Sequence, residues 1–454
     1  MRAGWRSQAR RGEAERDQQH VTRLRGLVLD VSPLRQSRQF RLLFWGQSAS
    51  QLGRQFTVVA AAYQVYALTG STLLVGLLSL GQLVPLLLCS LIGGSLAEAM
   101  DRRRLLLVVQ VLMALTSAGL AVNAVSGHPA VWPIFVCTAI SAALSAIDSP
   151  TRSAMVPGLV SAGKFPAAAA LNQILNQGSG AVGPLVAGLV IAQMGLGVAY
   201  WIDVASFGVA LATLVMMAPA LPVGGTTKLG FESVAEGFRF LRGRQALQGT
   251  FVIDVNAMVF GMPRALFPEM AVRTFGGGAL VYGALNSAAG IGALLGAASS
   301  GWVTRVRRQG RAVLLAVAAW GLAIVLFGVT SWLPLALFML AVAGAADVIS
   351  AVFRNTILQL SVPDRLRGRL SAVHIAVVTG GPRLGDVESG AVASLAGTQV
   401  SAVSGGLACL VGVGLIAKLM PALGRWTPDD RVTEPGERPA GHPVADVVVV
   451  DEPA

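Results

Sequence analysis

Gly93-Gly94-Ser95-Leu96-Ala97-Glu98-Ala99-Met100-Asp101-Arg102-Arg103-Arg104 decides how the chain is read. The stretch lies between two long apolar segments: a glycine pair ends the first, an acid follows, and three arginines open the second. So short a link forces its two helices to run antiparallel and side by side. A basic cluster beside an apolar span also fixes which face of a bilayer the link occupies.

Working outward, the composition is that of a membrane protein. Of 454 residues, 54% are hydrophobic and 13% charged, about half the charged share of a soluble domain. Mean hydropathy is +0.64. The net charge of +12 does not point to nucleic acid, because the bases punctuate apolar spans. Cys89, Cys137 and Cys409 all sit in apolar segments and imply no disulfide framework.

The chain reads as a polar, arginine-rich tail (1–40), a first set of six spans (41–218), a hydrophilic connector (219–245), a second set of six (246–420) and a proline- and acid-rich tail (421–454). Both tails are expected on the cytoplasmic side, and the C-terminal one is expected to be disordered. A short surface helix is expected near Pro33 to Phe40. Each apolar segment is about 20 residues or longer, enough to cross hydrocarbon as helix. The fold class predicted is an all-α membrane protein of twelve transmembrane helices in two pseudo-symmetric six-helix bundles. With both termini inside, 31 of the 35 lysines and arginines fall on the cytoplasmic side and only Arg273 on the other. Arg54, Arg264 and Arg383 lie within spans. Such asymmetry fixes orientation.

The halves repeat at a shift of 202 residues. Gly178, Gly183 and Gly188 fall on Gly380, Gly385 and Gly390, Arg152 falls on Arg354, and Gly94 on Gly296. Internal repeats of this kind mark a transporter architecture.

Ionisable groups inside spans are costly, so they are expected to face protein or a water-filled cavity. They are Arg54 in the first span, Asp148 in the fourth, Asp203 in the sixth, Asp254, Arg264 and Glu269 in the seventh, and Asp347 in the tenth. The eleventh carries a polar cluster of His374, Arg383, Asp386 and Glu388. Asp203 and Glu269 are read as near the outer edge and open to solvent. No Walker-type glycine loop, His/Cys cluster or enzyme motif competes, so neither a cofactor nor a metal site is expected.

The opening stretch resembles the loop signature between the second and third helices of the major facilitator superfamily: Gly94, then Glu98, then Arg102, Arg103 and Arg104. Glutamate stands where aspartate is usual, and Ala99 replaces a customary base. The fourth-span exit Asp148-Ser-Pro-Thr-Arg152 with Val156-Pro157, the connector Gly237-Phe-Arg-Phe-Leu-Arg242 and Gly385-Asp386 extend the likeness to the branch of the enterobactin exporter and related drug-efflux proteins. The resemblance covers about residues 38–420. It implies a monomer with a central cavity that opens alternately to each side of the bacterial inner membrane. It also implies proton-coupled export of a small amphipathic molecule, a siderophore or a drug-like compound. Arg54, Asp148, Asp254, Arg264 and Asp347 would serve translocation and proton coupling. Gly94, Glu98, Arg102 to Arg104 and Arg152 would form a latch between halves, with Glu98 meeting Arg152 or the positive end of the eleventh helix. Lysolipid movement, or a non-transporting sensor or assembly role, are the alternatives the sequence leaves open.

Overall fold

The computed structural model describes residues 30–219, 239, 241–362 and 364–428. The expectations for the tails and most of the connector lie outside these residues. Among them run twelve helices of 16 residues or more: α1 Arg38–Thr69, α2 Thr72–Ala99, α3 Arg102–Val125, α4 Trp132–Leu159, α5 Phe165–Met194, α6 Leu196–Val215, α7 Gln245–Phe260, α8 Gly278–Ala298, α9 Gln309–Val329, α10 Leu333–Ser361, α11 Asp364–Ala396 and α12 Thr398–Leu419. Ten helical segments are long and apolar enough to cross a membrane. α1 and α11 are long but carry the polar residues that line the interior. The result is an all-α, multi-pass membrane fold. The surface helix is present as Ser32–Gln36.

Local sequence explains the helix ends. Ser37 caps α1 by accepting from the Phe40 amide at 3.1 Å, and Ser71 caps α2 from Leu74 at 3.3 Å. Asp101 caps α3, accepting from the Arg103 amide at 2.9 Å. Gly195 and Gly397 each supply a one-residue turn with φ near +90°, where a side chain would be strained. They stand 202 residues apart and so extend the repeat seen in the sequence.

Packing repeats as well. α1 packs on α5 and α6, α2 on α4, and α3 on α4 and α6; α7 packs on α11 and α12, α8 on α10, and α9 on α10 and α12. Every pair recurs six helices later. The two sets meet through α2 against α11 and α5 against α8.

Outward faces are apolar. Val108, Leu115 and Val122 on α3, and Leu315, Leu322 and Val329 on α9, recur every seven residues and are all more than half exposed. The same α3 buries Gln110, Thr116 and Ser117. In water, such apolar faces would drive aggregation; in lipid they cost nothing. Where the halves meet, glycine permits backbone contact. A Cβ on Gly188 would lie 2.5 Å from the Ala279 carbonyl oxygen, and one on Gly390 would lie 2.6 Å from that of Thr72. These two positions are also 202 residues apart.

One expected span is broken. The seventh reads as continuous over 247–271, yet α7 stops at Phe260 and is followed by a 3-10 turn, Arg264–Leu266, and a π-turn, Met270–Thr274. Gly261 and Pro263 cause the break, since proline offers no amide to the helix ladder. Trp320 on α9 repairs part of it by donating to the Gly261 carbonyl at 2.7 Å. Irregular backbone at this depth survives only against protein or a cavity.

Candidate functional site

A cavity of two adjoining lobes, about 380 and 360 Å³, lies between the two helix sets. The first lobe is lined by Arg54, Ser145, Arg383 and Asp386; the second by Gln177, Trp320 and Asp347. Gln55, Arg264, Tyr282 and Asn286 border both. The α7 break places Arg264 here, with its side chain exposed to the cavity.

The halves close over one end of this space. Thr72 donates to the Gly390 carbonyl at 3.2 Å, the Leu185 amide donates to Ser287 Oγ at 2.8 Å, and the Tyr63 and Tyr282 rings stack with centroids 6.0 Å apart. Following the helices through their short connections, these contacts lie at the end opposite that of Arg38 and Leu419.

Arg54 donates to Ser145 at 3.0 Å and to Gln51 at 2.7 Å, and Gln51 in turn donates to Asn176 at 2.6 Å. One α1 arginine thereby ties α4 and α5 to its own helix. Deeper toward the termini, Asp148 accepts from Gln110 and from Arg152 Nε, both at 2.8 Å. Neither Asp148 nor Arg152 lines the cavity lobes. In the second half, Arg354 approaches Asp254 at 2.8 Å and Asp347 at 3.9 Å. The shorter contact is poorly aligned, and Arg354 Nε and Nη1 have no partner among the described residues. Arg354 and Asp254 are 4% and 1% exposed, whereas the Asp347 side chain is 29% exposed.

Several expectations change. Of the five residues expected to serve translocation, Arg54, Arg264 and Asp347 line the cavity; Asp148 and Asp254 are sealed into ion pairs behind it. The eleventh-span residues are not one cluster. Arg383 and Asp386 face the first lobe, while His374 packs edge-on against Phe251 beside Asp254 and Arg354. About two and a half helical turns separate His374 from Arg383. Glu388, half-buried, lines neither lobe. Asp203, expected to meet solvent, is fully buried. Seven residues into α6, it accepts from Thr57 at 2.6 Å and Ser117 at 2.7 Å. Glu269, also expected to meet solvent, has a side chain only 16% exposed and pairs with the exposed Arg273 at 3.4 Å.

The surroundings of Gly94 and the side chain of Glu98 lie outside what the structure describes. The arginines that follow make contacts within the first helix set: Arg102 donates to the Ala154 carbonyl at 2.8 Å, and Arg103 to Leu214 and Val215 at 2.8 and 2.7 Å. Arg103 satisfies terminal carbonyls of α6, Arg102 bonds a carbonyl near the end of α4, and both favour the negative ends of those helices. Arg354 and Arg152, read among the cytoplasmic bases, are buried helix residues because carboxylates within reach hold them.

Arg354, Gln110 and Asp203 escaped as site residues. The repeat signalled Arg354, which falls on Arg152. Gln110 and Asp203 gave no such signal, since a lone polar residue in a span does not reveal which helix it faces.

A repeated helix bundle with a charged cavity between its repeats, shut at one end, defines a secondary transporter of the major facilitator superfamily, not an enzyme. The chain belongs to the family described as transmembrane secretion effector, whose model matches residues 29–440, and it is related to the superfamily's bacterial exporter branch. It is 25% identical over 393 residues to the enterobactin exporter EntS of Shigella boydii serotype 4 (strain Sb227), spanning 87% of this chain and 94% of that one. The EntS of Escherichia coli O81 (strain ED1a) is 24% identical over the same length and shares. Among solved structures, a POT family transporter in complex with a thioalcohol-conjugated peptide superposes with TM-score 0.67 at 12% identity, over 85% of this chain and 96% of that one. The inward-facing, unoccupied bacterial homologue of the human lysosomal transporter Spinster gives 0.66 at 14%, over 86% and 98%. The nucleoside transporter NupG gives 0.65 at 15%, over 86% and 99%.

Proposed function

We propose that this protein exports a small amphipathic molecule, of siderophore or drug-like type, across the bacterial inner membrane by proton antiport with alternating access. The observation that carries the reading is the cavity: charged, placed between two repeats and crossed at one end by contacts between the halves. All twelve helices are read as spans, grouped as bundles over 41–218 and 246–420 and joined by the connector 219–245. The six-helix offset in packing supports that grouping. Both termini are placed in the cytoplasm on the basic-residue asymmetry, so the state described here is inward-open and the glycine contacts seal the outside. The protein is read as a monomer.

Proton coupling rests on the second half. Arg354 faces two carboxylates, and one arginine cannot neutralise both. Asp347 borders the cavity and is therefore the residue that gains and loses the proton; Asp254 keeps Arg354 in place. Binding a proton and binding substrate at neighbouring points of one cavity gives the competition that antiport requires. Switching to the outward-open state would break the Gly188 and Gly390 contacts and join the inner ends. Glu98 and Arg102 to Arg104 are then placed to meet the second bundle.

The test is accumulation in cells lacking the protein, with and without a protonophore. Labelled substrate candidates should accumulate in deletion cells and return to low levels on complementation, and a protonophore should abolish the rescue. Rescue that survives collapse of the proton gradient would exclude proton antiport.

A further inference from the structure

We infer that the cavity is built to take an organic anion that bridges the two helix sets, with Arg54 on one wall and Arg264 and Arg383 on the other. This rests on the exporter reading and names its substrate class. All three arginines line the first lobe. None makes an ion pair within 4 Å among the described residues. Arg54 donates only to the uncharged Ser145 and Gln51. Arg383 donates to the Thr379 carbonyl of its own helix at 2.7 Å. The Arg264 side chain, exposed to the cavity, makes no hydrogen bond or ion pair among the described residues. The one carboxylate lining the same lobe is Asp386. It is 8% exposed, and no described arginine lies within 4 Å of it.

The lobe therefore holds three cations against one anion. In a low-dielectric interior, uncompensated cations are costly unless a ligand or water answers them. Guanidinium groups suit planar oxyanions, which they bind through paired hydrogen bonds. Val58, Val75, Leu78 and Leu86 supply apolar wall beside them. A carboxylate, phenolate or sulfonate on an aromatic or aliphatic body matches both features. A cationic amphipath finds only Asp386 here, and Asp347 in the other lobe is already approached by Arg354 at 3.9 Å. Because Arg54 belongs to one repeat and Arg264 and Arg383 to the other, a bound anion also removes repulsion between the walls. That favours their approach when the open end shuts.

The experiment uses everted membrane vesicles from cells producing the full chain, energised to acidify the lumen. Carboxyfluorescein is the anionic aromatic probe and ethidium the cationic one. Carboxyfluorescein should enter the lumen above the level of vesicles lacking the protein, and ethidium should not. Arg264→Gln and Arg383→Gln should weaken apparent affinity for carboxyfluorescein by about ten- to a hundredfold, with Arg264→Lys retaining most of it. The Arg264 side chain makes no bond that holds the fold, so its variants separate binding from stability. Ethidium uptake without carboxyfluorescein uptake would overturn the anion inference and leave the exporter reading standing. Unchanged carboxyfluorescein affinity in Arg264→Gln would overturn it likewise. Movement of neither dye would count against the exporter reading itself, and the inference would fall with it.

Discussion

Arg152 and Arg354 occupy the same place in the two repeats, yet their surroundings differ. In the first half one arginine meets one aspartate, and Gln110 occupies that aspartate's other oxygen. In the second half one arginine faces two aspartates, leaves two of its nitrogens unpartnered among the described residues, and borders the substrate cavity through Asp347. Arg152 too leaves one nitrogen, Nη2, without a hydrogen-bond partner among the described residues, but its pair is one to one and carries no surplus charge to move. A pair with a surplus carboxylate does, because protonating Asp347 changes the balance around Arg354. On the proposed mechanism, the duplicated architecture serves structure in one copy and proton coupling in the other.

The largest effect that can test this contrast is on stability. Arg354→Met strands two carboxylates where Arg152→Met strands one, already bonded to Gln110. Breaking a buried ion pair by deleting one partner costs about 3–5 kcal/mol. Arg354→Met should lower the melting temperature in detergent more than Arg152→Met, and the second change Asp254→Asn should restore much of the loss. Equal destabilisation by the two methionine variants would erase the distinction between the halves.

A smaller effect is expected at the outer seal, where the halves behave alike. Alanine at Gly188 or at Gly390 drives a methyl group into facing backbone, and overpacking of this kind costs about 1–3 kcal/mol. The penalty falls on the state closed at that end. Cysteine accessibility from outside should rise, for either variant, by about fivefold or more. A rise for one and none for the other would show that the two contacts do not act as a symmetric pair.

The smallest effect belongs to the exposed contact of Lys164 with Asp30 at 3.1 Å. Hydrogen bonds from Ser32, then the Lys164 ammonium, hold the Asp30 carboxyl down from 3.8 to about 2. A depressed carboxylate contributes stability that is complete above its ordinary pKa and lost as pH falls through the folded one. Between pH 5 and 8 the contact is therefore constant, and Lys164→Gln should leave the melting temperature and its pH profile in that window unchanged.

The fold was largely legible because each helix announced itself. Apolar length, glycine turns and the arginine asymmetry are local signals, and the positions of Gly188 and Gly390 carried the repeat into three dimensions. The site was half legible. Arg54, Arg264 and Asp347 stood out as charges within apolar spans, and they line the cavity. Composition could not say that Asp148 and Asp254 face away from it, because facing depends on helix rotation. Asp203 was misjudged for a similar reason: two turns of helix carry a residue about 10 Å below the membrane surface. The two hydroxyls that bond it, Thr57 on α1 and Ser117 on α3, come from distant parts of the sequence. The break after Phe260 was written in Gly261 and Pro263, but its apolar flanks hid it inside a continuous span.

Proton-driven transport in proteoliposomes tests the division of labour most directly, using the compound that accumulates in cells lacking the protein. Asp347→Asn should abolish accumulation driven by an imposed pH gradient while substrate exchange at equal pH persists. Asp148→Asn should keep gradient-driven accumulation, at whatever level its folded fraction allows. Gradient-driven accumulation by Asp347→Asn at the wild-type level would contradict the assignment of the proton to the second half.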